Sequence, residues 1–117
     1  MSHRSKFLVI IDESVEVNVA VQFASRRASN TKGGLVLLSV IEHADTQQWK
    51  AVEDIIQQEA RIEVEKKLQE WSEVAFNISG QTPEVAIKEG IISEEIIKFL
   101  NEDNKVRFLV LAASDGD

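Results

Sequence analysis

The first residues that could do chemistry are Asp12, Glu13 and Ser14, which directly follow the apolar residues 7–11. A carboxylate here could accept hydrogen bonds from a ligand, or it could cap the next helix or orient its loop, and the sequence leaves these roles of Asp12 open. We interpret Ser14 as a helix N-cap rather than a nucleophile, because the sequence assigns no histidine or other base to activate it.

The remaining candidate groups indicate no catalytic centre. His43, which lies between Glu42 and Asp45, could serve in a metal site or in acid–base chemistry, but we interpret it as an exposed loop residue. Glu94 and Glu95 are adjacent on a predicted helix, so they point in different directions and form no catalytic carboxylate pair. The absence of cysteine excludes thiolate metal sites and cysteine nucleophiles. We assign no catalytic residue and no metal site, and we predict no enzyme.

Four apolar segments predict the strands that position these residues. Continuous apolarity, rather than alternation of apolar and polar residues, is typical of strands covered on both faces, as in a parallel sheet. Pro83 precedes the weaker third segment, and a proline at a strand start favours a sheet edge. The segments are residues 7–11, 35–41, 85–87 and 106–113.

The segments between the predicted strands have apolar residues at helical spacing. Apolar residues spaced i, i+3, i+4 and i+7 from Val17 to Ala28 predict the first helix. A four-residue apolar repeat predicts a long second helix over 46–76, with Glu63 and Lys67 spaced so that they can pair on its charged outer side. The third helix is predicted over 93–102, with its first residue, a serine, as N-cap.

The order β-α-β-α-β-α-β predicts an α/β fold with a doubly wound parallel sheet, whose ligands bind outside the carboxyl ends of the strands. The turn after the first strand contains no glycine, which excludes a G-x-G-x-x-G dinucleotide site and a P-loop. A phosphoacceptor receiver domain is disfavoured, because the third strand ends in Lys88 and Glu89 with no aspartate nearby.

One set of motifs follows a recognisable order along the chain. It comprises Asp12 followed by Ser14 and an alanine-containing helix, the second strand 37–42, the segment 85–90 and the last strand 108–112. In this order and spacing the chain resembles the universal stress protein family, of the adenine nucleotide alpha hydrolase-like superfamily, over its whole length. The resemblance implies a Rossmann-like fold with five parallel strands in the order 3-2-1-4-5, a homodimer and, in some members, bound ATP.

The resemblance also implies the site residues. In members that bind ATP, the aspartate after the first strand contacts the nucleotide, and a valine near the end of the second strand lies by the adenine. These positions fall on Asp12 and Val40. The triphosphate is held by glycines after the fourth strand, whose backbone N–H groups surround a phosphate. The first two of these positions fall at or beside Ala112 and Gly116.

The chain departs from this glycine pattern, since the first glycine is replaced by alanine and the last part of the motif would lie beyond residue 117. Asp12, Val40, Ala112 and Gly116 are therefore the candidate nucleotide contacts, with ATP as the candidate cofactor. We also expect residues 1–117 to form a single domain that lacks the final helix and the fifth strand of the family.

The charge of the chain bears on its partners. The 13 lysines and arginines against 20 aspartates and glutamates give a net charge of −7. Such an acidic surface repels phosphate backbones and anionic lipids, so we expect neither nucleic acid nor membrane as a partner. The N-terminal apolar run is too short for a signal peptide or a membrane helix. A cytoplasmic protein is expected.

Three hypotheses for the function follow. The first is a stress-response protein of the universal stress protein type that acts without catalysis, through self-association or partner binding. The alternative is an adenine-nucleotide sensor or weak ATPase that uses Asp12 and Val40, and the third is a receiver-like phosphorelay domain. The strand from Val106 to Ala113 is expected to be an unprotected sheet edge that pairs with a second copy in a homodimer or higher oligomer.

Overall fold

The computed structural model describes residues 5–42 and 50–112, and within the second range it leaves out the side chains of residues 50–54, 56 and 57. Strands and helices alternate along the described chain, as the sequence predicts. The strands are β1 (Lys6–Ile10), β2 (Gly34–Ile41), β3 (Glu84–Glu89) and β4 (Val106–Val110), and the helices are α1 (Val17–Thr31), α2 (Lys50–Ser79) and α3 (Ile92–Glu102).

The described strands form one parallel sheet in the order β3-β2-β1-β4. This confirms the predicted doubly wound α/β fold and strand order, including the edge position of β3, which directly follows the buried Pro83. The central strand β1 pairs with β2 and β4 at the same residues, so Leu8 lies opposite both Val36 and Leu109.

The core has two parts, one on each face of the sheet. Successive residues of β1 face opposite sides of the sheet. Val9 and Leu8 are both fully buried, and each belongs to a different hydrophobic cluster. The Val9 cluster includes residues of α1 and α2, and the Leu8 cluster includes residues of α3. On the first face, the rings of Phe7 and Phe108 stack with centroids 4.6 Å apart. Burial on both faces explains why the inner strands are continuously apolar.

Both serines predicted as N-caps have other positions. The N-cap of α1 is Glu16, and the side chain of Ser14 bonds to Asp12 instead. The N-cap of α3 is Ile91, and Ser93 lies inside the first turn, where Glu94 and Glu95 are found as predicted. These cap predictions were wrong because local acceptors and the strand-to-helix geometry, rather than residue type alone, decide where a helix begins.

The bounds of some elements also differ from the prediction. Helix α2 continues to Ser79 and is followed by Gly80, whose φ of 78° is the left-handed conformation that suits a helix end. Strand β4 ends at Val110 instead of residue 113. In the described part of the chain, no helix combines the length and the hydropathy needed to cross a membrane.

Candidate functional site

A cavity of about 400 Å³ opens at the carboxyl ends of β1 and β2, with one wall formed by α2. It is the kind of place where doubly wound folds bind ligands. Its lining combines apolar side chains with a rim of charged ones. The lining residues are Ile11, Asp12, Glu13, Ser39, Val40, Ile41, Glu42, Ala60, Glu63, Val64 and Lys67.

Asp12 lies at the mouth of the cavity with one carboxylate oxygen in use. Its Oδ1 accepts hydrogen bonds from the backbone N–H of Ser14 at 2.9 Å and from the Ser14 hydroxyl at 2.7 Å. In the described residues, Oδ2 has no hydrogen-bond partner. Two bonds to one oxygen fix the carboxylate plane and leave the other oxygen as an oriented acceptor. Asp12 therefore orients its loop and also lines the cavity, two roles that the sequence left open.

The ends of β1 and β2 are tied together beneath Asp12. The buried Ser39 hydroxyl donates to the carbonyl of Ile11 at 2.9 Å, and the Ile11 N–H donates to the carbonyl of Leu38 at 2.8 Å. Val40, the next residue of β2, is half-buried, lines the cavity and also packs against the core on the α3 face. The structure thus brings Asp12 and Val40 to one cavity on a rigid floor.

Helix α2 contributes residues that the sequence analysis did not assign to the site. Ala60, Glu63, Val64 and Lys67 follow one face of the helix and line the cavity. The predicted ion pair between Glu63 and Lys67 was wrong, because neither side chain forms an ion pair or hydrogen bond in the described residues. The i, i+4 spacing of Ala60 and Val64 was the available signal, but it was interpreted only as packing, and Lys67 was assigned to the outer side of the helix.

An ion pair fastens α2 beside this cavity. Arg61 Nη1 lies 2.9 Å from Glu89 Oε2 at the end of β3, and its Nε lies 3.7 Å from Glu65. Leu68, which directly follows Lys67, is buried in the core. The Arg61–Glu89 ion pair and the burial of Leu68 hold the α2 wall in place relative to the strand ends.

A second recess, of about 360 Å³, lies on the other side of Asp12. Asp12, Glu13 and Lys67 line both spaces, and the second recess adds Glu70 and the half-buried Trp71. Lys67 is therefore at the border of the two spaces. Among the residues that the structure describes, no group of three histidine, aspartate or glutamate side chains could hold a metal ion.

The comparisons with known proteins decide the family. The model of the universal stress protein family matches residues 3–115. The chain belongs to this family. None of the curated proteins matches it. The family assignment confirms the resemblance seen in the motifs.

Solved universal stress proteins share the fold. UspA from Lactobacillus plantarum superposes with a TM-score of 0.86 at 17% identity, and the match covers 100% of this chain and 82% of the UspA chain. A family member from Burkholderia pseudomallei gives 0.79 at 20% identity, covering 97% and 84%. A universal stress protein solved in complex with cAMP gives 0.66 at 17% identity, covering 92% and 71%.

Of the other two candidate contacts of this universal stress protein, Ala112 is not among the residues that line the cavity. Ala112 lines a different groove, of about 550 Å³, between α1 and β4, together with Val19, Phe23 and Leu111. Gly116 lies outside the described residues, as do His43 and Asp45. The structure therefore brings together Asp12 and Val40 but not Ala112, and the assignment of all four as nucleotide contacts stays a prediction.

Proposed function

We propose that this universal stress protein binds an adenine nucleotide in the strand-end cavity and acts as a sensor of that nucleotide, without catalysis. The observation that carries the proposal is the oriented Asp12 carboxylate in the same cavity as Val40. An adenosine group offers an exocyclic amine and ribose hydroxyls as donors to the carboxylate oxygen that Ser14 leaves unused. The cAMP complex of a protein with the same fold supports a ligand of this class.

The cavity suits such a ligand in size and lining. Its volume of about 400 Å³ falls within the range of about 300–1,000 Å³ that is usual for small-molecule sites. Ile11, Val40, Ala60 and Val64 provide apolar surface for a flat base. A few placed polar groups on an apolar wall are typical of cofactor and ligand sites.

Isothermal titration calorimetry with cAMP, AMP and ATP tests the proposal. We expect micromolar binding of at least one of them, and its loss in Asp12→Ala. The matched control is Glu102→Ala, which removes an exposed carboxylate at the end of α3, away from the cavity. Loss of binding in both variants, or in neither, would contradict the assignment of Asp12. A weak ATPase, the related alternative, would release ADP in the samples that contain ATP.

We further propose that the protein self-associates through β4. The outer side of β4 pairs with no described strand, and Phe108, Leu109 and Leu111 are 49%, 41% and 56% exposed. Unpaired N–H and C=O groups beside apolar side chains favour pairing with another strand. A second copy related by a two-fold axis would place the two β4 strands antiparallel.

Analytical ultracentrifugation at low micromolar concentration tests this pairing. We expect a dimer for the unaltered chain and a monomer for Leu109→Lys. Val85→Lys is the matched control, because Val85 is 53% exposed on β3, at the opposite edge of the sheet. A dimer that persists in Leu109→Lys and dissociates in Val85→Lys would move the interface to β3.

The cytoplasm is the compartment that we propose for both activities. Adenine nucleotides are available there, and a chain without cysteine needs no oxidising environment for disulfides. In the proposed stress-response role, the protein senses the cellular level of the nucleotide by binding it, and it acts as a self-associated protein. Fractionation of cells that produce the tagged chain tests the location.

A further inference from the structure

We propose that Lys67 binds the phosphoryl group of the nucleotide and that the surrounding carboxylates restrict the ligand to adenine nucleotides with a single phosphate, such as cAMP or AMP. This inference rests on the proposed function, because it names the ligand class of the same cavity.

Lys67 is placed where a ligand extending from Asp12 would meet it. It lines the cavity and the second recess, and both spaces also include Asp12. In the described residues its ammonium group has no hydrogen-bond or ion-pair partner, although carboxylates line the same walls. The buried Leu68 and the Arg61–Glu89 ion pair hold this part of α2 against the sheet. Lys67 is therefore an exposed cation at the border of the two spaces, and it is available to an anionic group.

The other charges of the cavity oppose more than one phosphate. The described residues of its lining carry four carboxylates and one ammonium group, that of Lys67, and the second recess adds the carboxylate of Glu70. Charges within about 8 Å are only partly screened at physiological ionic strength. One phosphoryl group can pair with Lys67, whereas each further phosphate adds negative charge among Glu13, Glu42 and Glu63. The cavity thus favours a ligand with one phosphate, because Lys67 attracts that group and the carboxylates repel any further phosphate.

The described backbone offers no replacement for this cation. A triphosphate needs several N–H groups around it, which glycine-rich segments provide. Among the described residues that line the cavity, none is a glycine. Ala112, at the position expected for the first glycine, lines the groove on the α1 side of β4 instead. A single phosphate can be held by one ammonium group and does not need several backbone N–H groups around it.

Calorimetry with adenosine, cAMP, AMP, ADP and ATP, with and without magnesium, tests the inference. We expect cAMP or AMP to bind on the order of tenfold more tightly than adenosine, as one charge-assisted hydrogen bond allows, and more tightly than ATP. In Lys67→Ala, the affinity for cAMP should fall to that for adenosine or below it, because the carboxylates that repel a phosphate remain. Lys66→Ala is the matched control, because Lys66 is exposed on α2 and lines neither space. Glu63→Gln should raise the affinity for ATP several-fold relative to cAMP.

The outcomes separate this inference from the function on which it rests. Failure of every compound, including adenosine, would overturn the proposed function itself. Equal binding of adenosine and cAMP would leave the adenine site in place and overturn the role of Lys67. Tighter binding of ATP than of cAMP would overturn the restriction to one phosphate, and equal effects of Lys66→Ala and Lys67→Ala would overturn the role of Lys67.

Discussion

Lys6 Nζ lies 2.8 Å from Asp103 Oδ2, and this contact joins the first residue of β1 to the turn before β4. The same ammonium group lies 2.8 Å from Glu84 Oε2 at the start of β3. One lysine therefore links both edges of the sheet to its centre, at the end opposite to the cavity. Asp103 Oδ1 also accepts the backbone N–H of Lys105, which shapes the turn.

The Lys6–Asp103 pair should make stability depend on pH in the acid range. The hydrogen bond from Lys6 is the main cause that lowers the pKa of Asp103 in the folded chain. A carboxyl with a lowered folded pKa stabilises the fold above its unfolded pKa, and this contribution is lost as the pH falls through the folded pKa. We expect Asp103→Asn to cost about 1 kcal/mol of unfolding free energy at pH 7 and less at pH ~2, which is below the unfolded carboxyl pKa of about 3.9. Urea denaturation at both pH values measures the difference. A cost that does not change with pH would show that the charge of Asp103 is not involved.

Ser14→Ala should affect ligand binding more than stability. The Ser14 hydroxyl bonds to the Asp12 carboxylate, while the α1 cap is Glu16. Loss of this partly exposed hydrogen bond should cost only about 0.5 kcal/mol, below the usual cost of about 1 kcal/mol for a lost N-cap. Nucleotide affinity should fall, because the carboxylate is no longer held in one orientation. Thermal unfolding and calorimetry of the same sample check both parts. A large loss of stability with unchanged affinity would restore the cap assignment.

Ser25→Ala should stabilise the protein. Ser25 is fully buried in α1, and its hydroxyl has no hydrogen-bond partner in the described residues. Removing an unsatisfied buried hydroxyl and placing alanine in a helix should together add about 1 kcal/mol to the unfolding free energy. The control is Ser29→Ala on the exposed side of α1, where only the smaller helix-propensity gain is expected. Urea titrations compare the two variants. A destabilised Ser25→Ala would indicate that the hydroxyl has a partner after all.

Gly90→Ala should destabilise the junction between β3 and α3. Gly90 has a φ of 148°, and an added Cβ would lie 2.8 Å from Glu95 Oε2. We expect a loss of about 2 kcal/mol from backbone strain and the clash together. Gly80→Ala is the comparison for a left-handed backbone without a clash, because Gly80 has a φ of 78° and open space around its Cβ. If the clash contributes, Glu95→Ala should recover part of the loss in the Gly90→Ala background. No recovery would leave backbone strain as the whole cause.

The sequence predicted the sheet better than the site. The apolar runs of β1 and β2 have few alternatives, because only a strand covered on both faces tolerates them, and Leu8 and Val9 are fully buried as expected. Asp12 and Val40 could be assigned only through the family resemblance. Lys67 could not be placed, because the helix face that meets the strand ends depends on how α2 crosses the sheet. Ser14 was misassigned because Asp12 competes for its hydroxyl.

The central position of β1 has a consequence for how the chain reaches its fold. β1 can pair with β2 as soon as α1 connects them, but its other edge must wait for β4, which follows a long interval of sequence. Closing such a long loop is entropically costly, so the β1–β4 pairing should form late and limit the folding rate. Until then one edge of the apolar strand β1 is open to wrong partners, including β4 of another copy. The order of strands thus makes domain swapping and aggregation during refolding a hazard that rises with protein concentration.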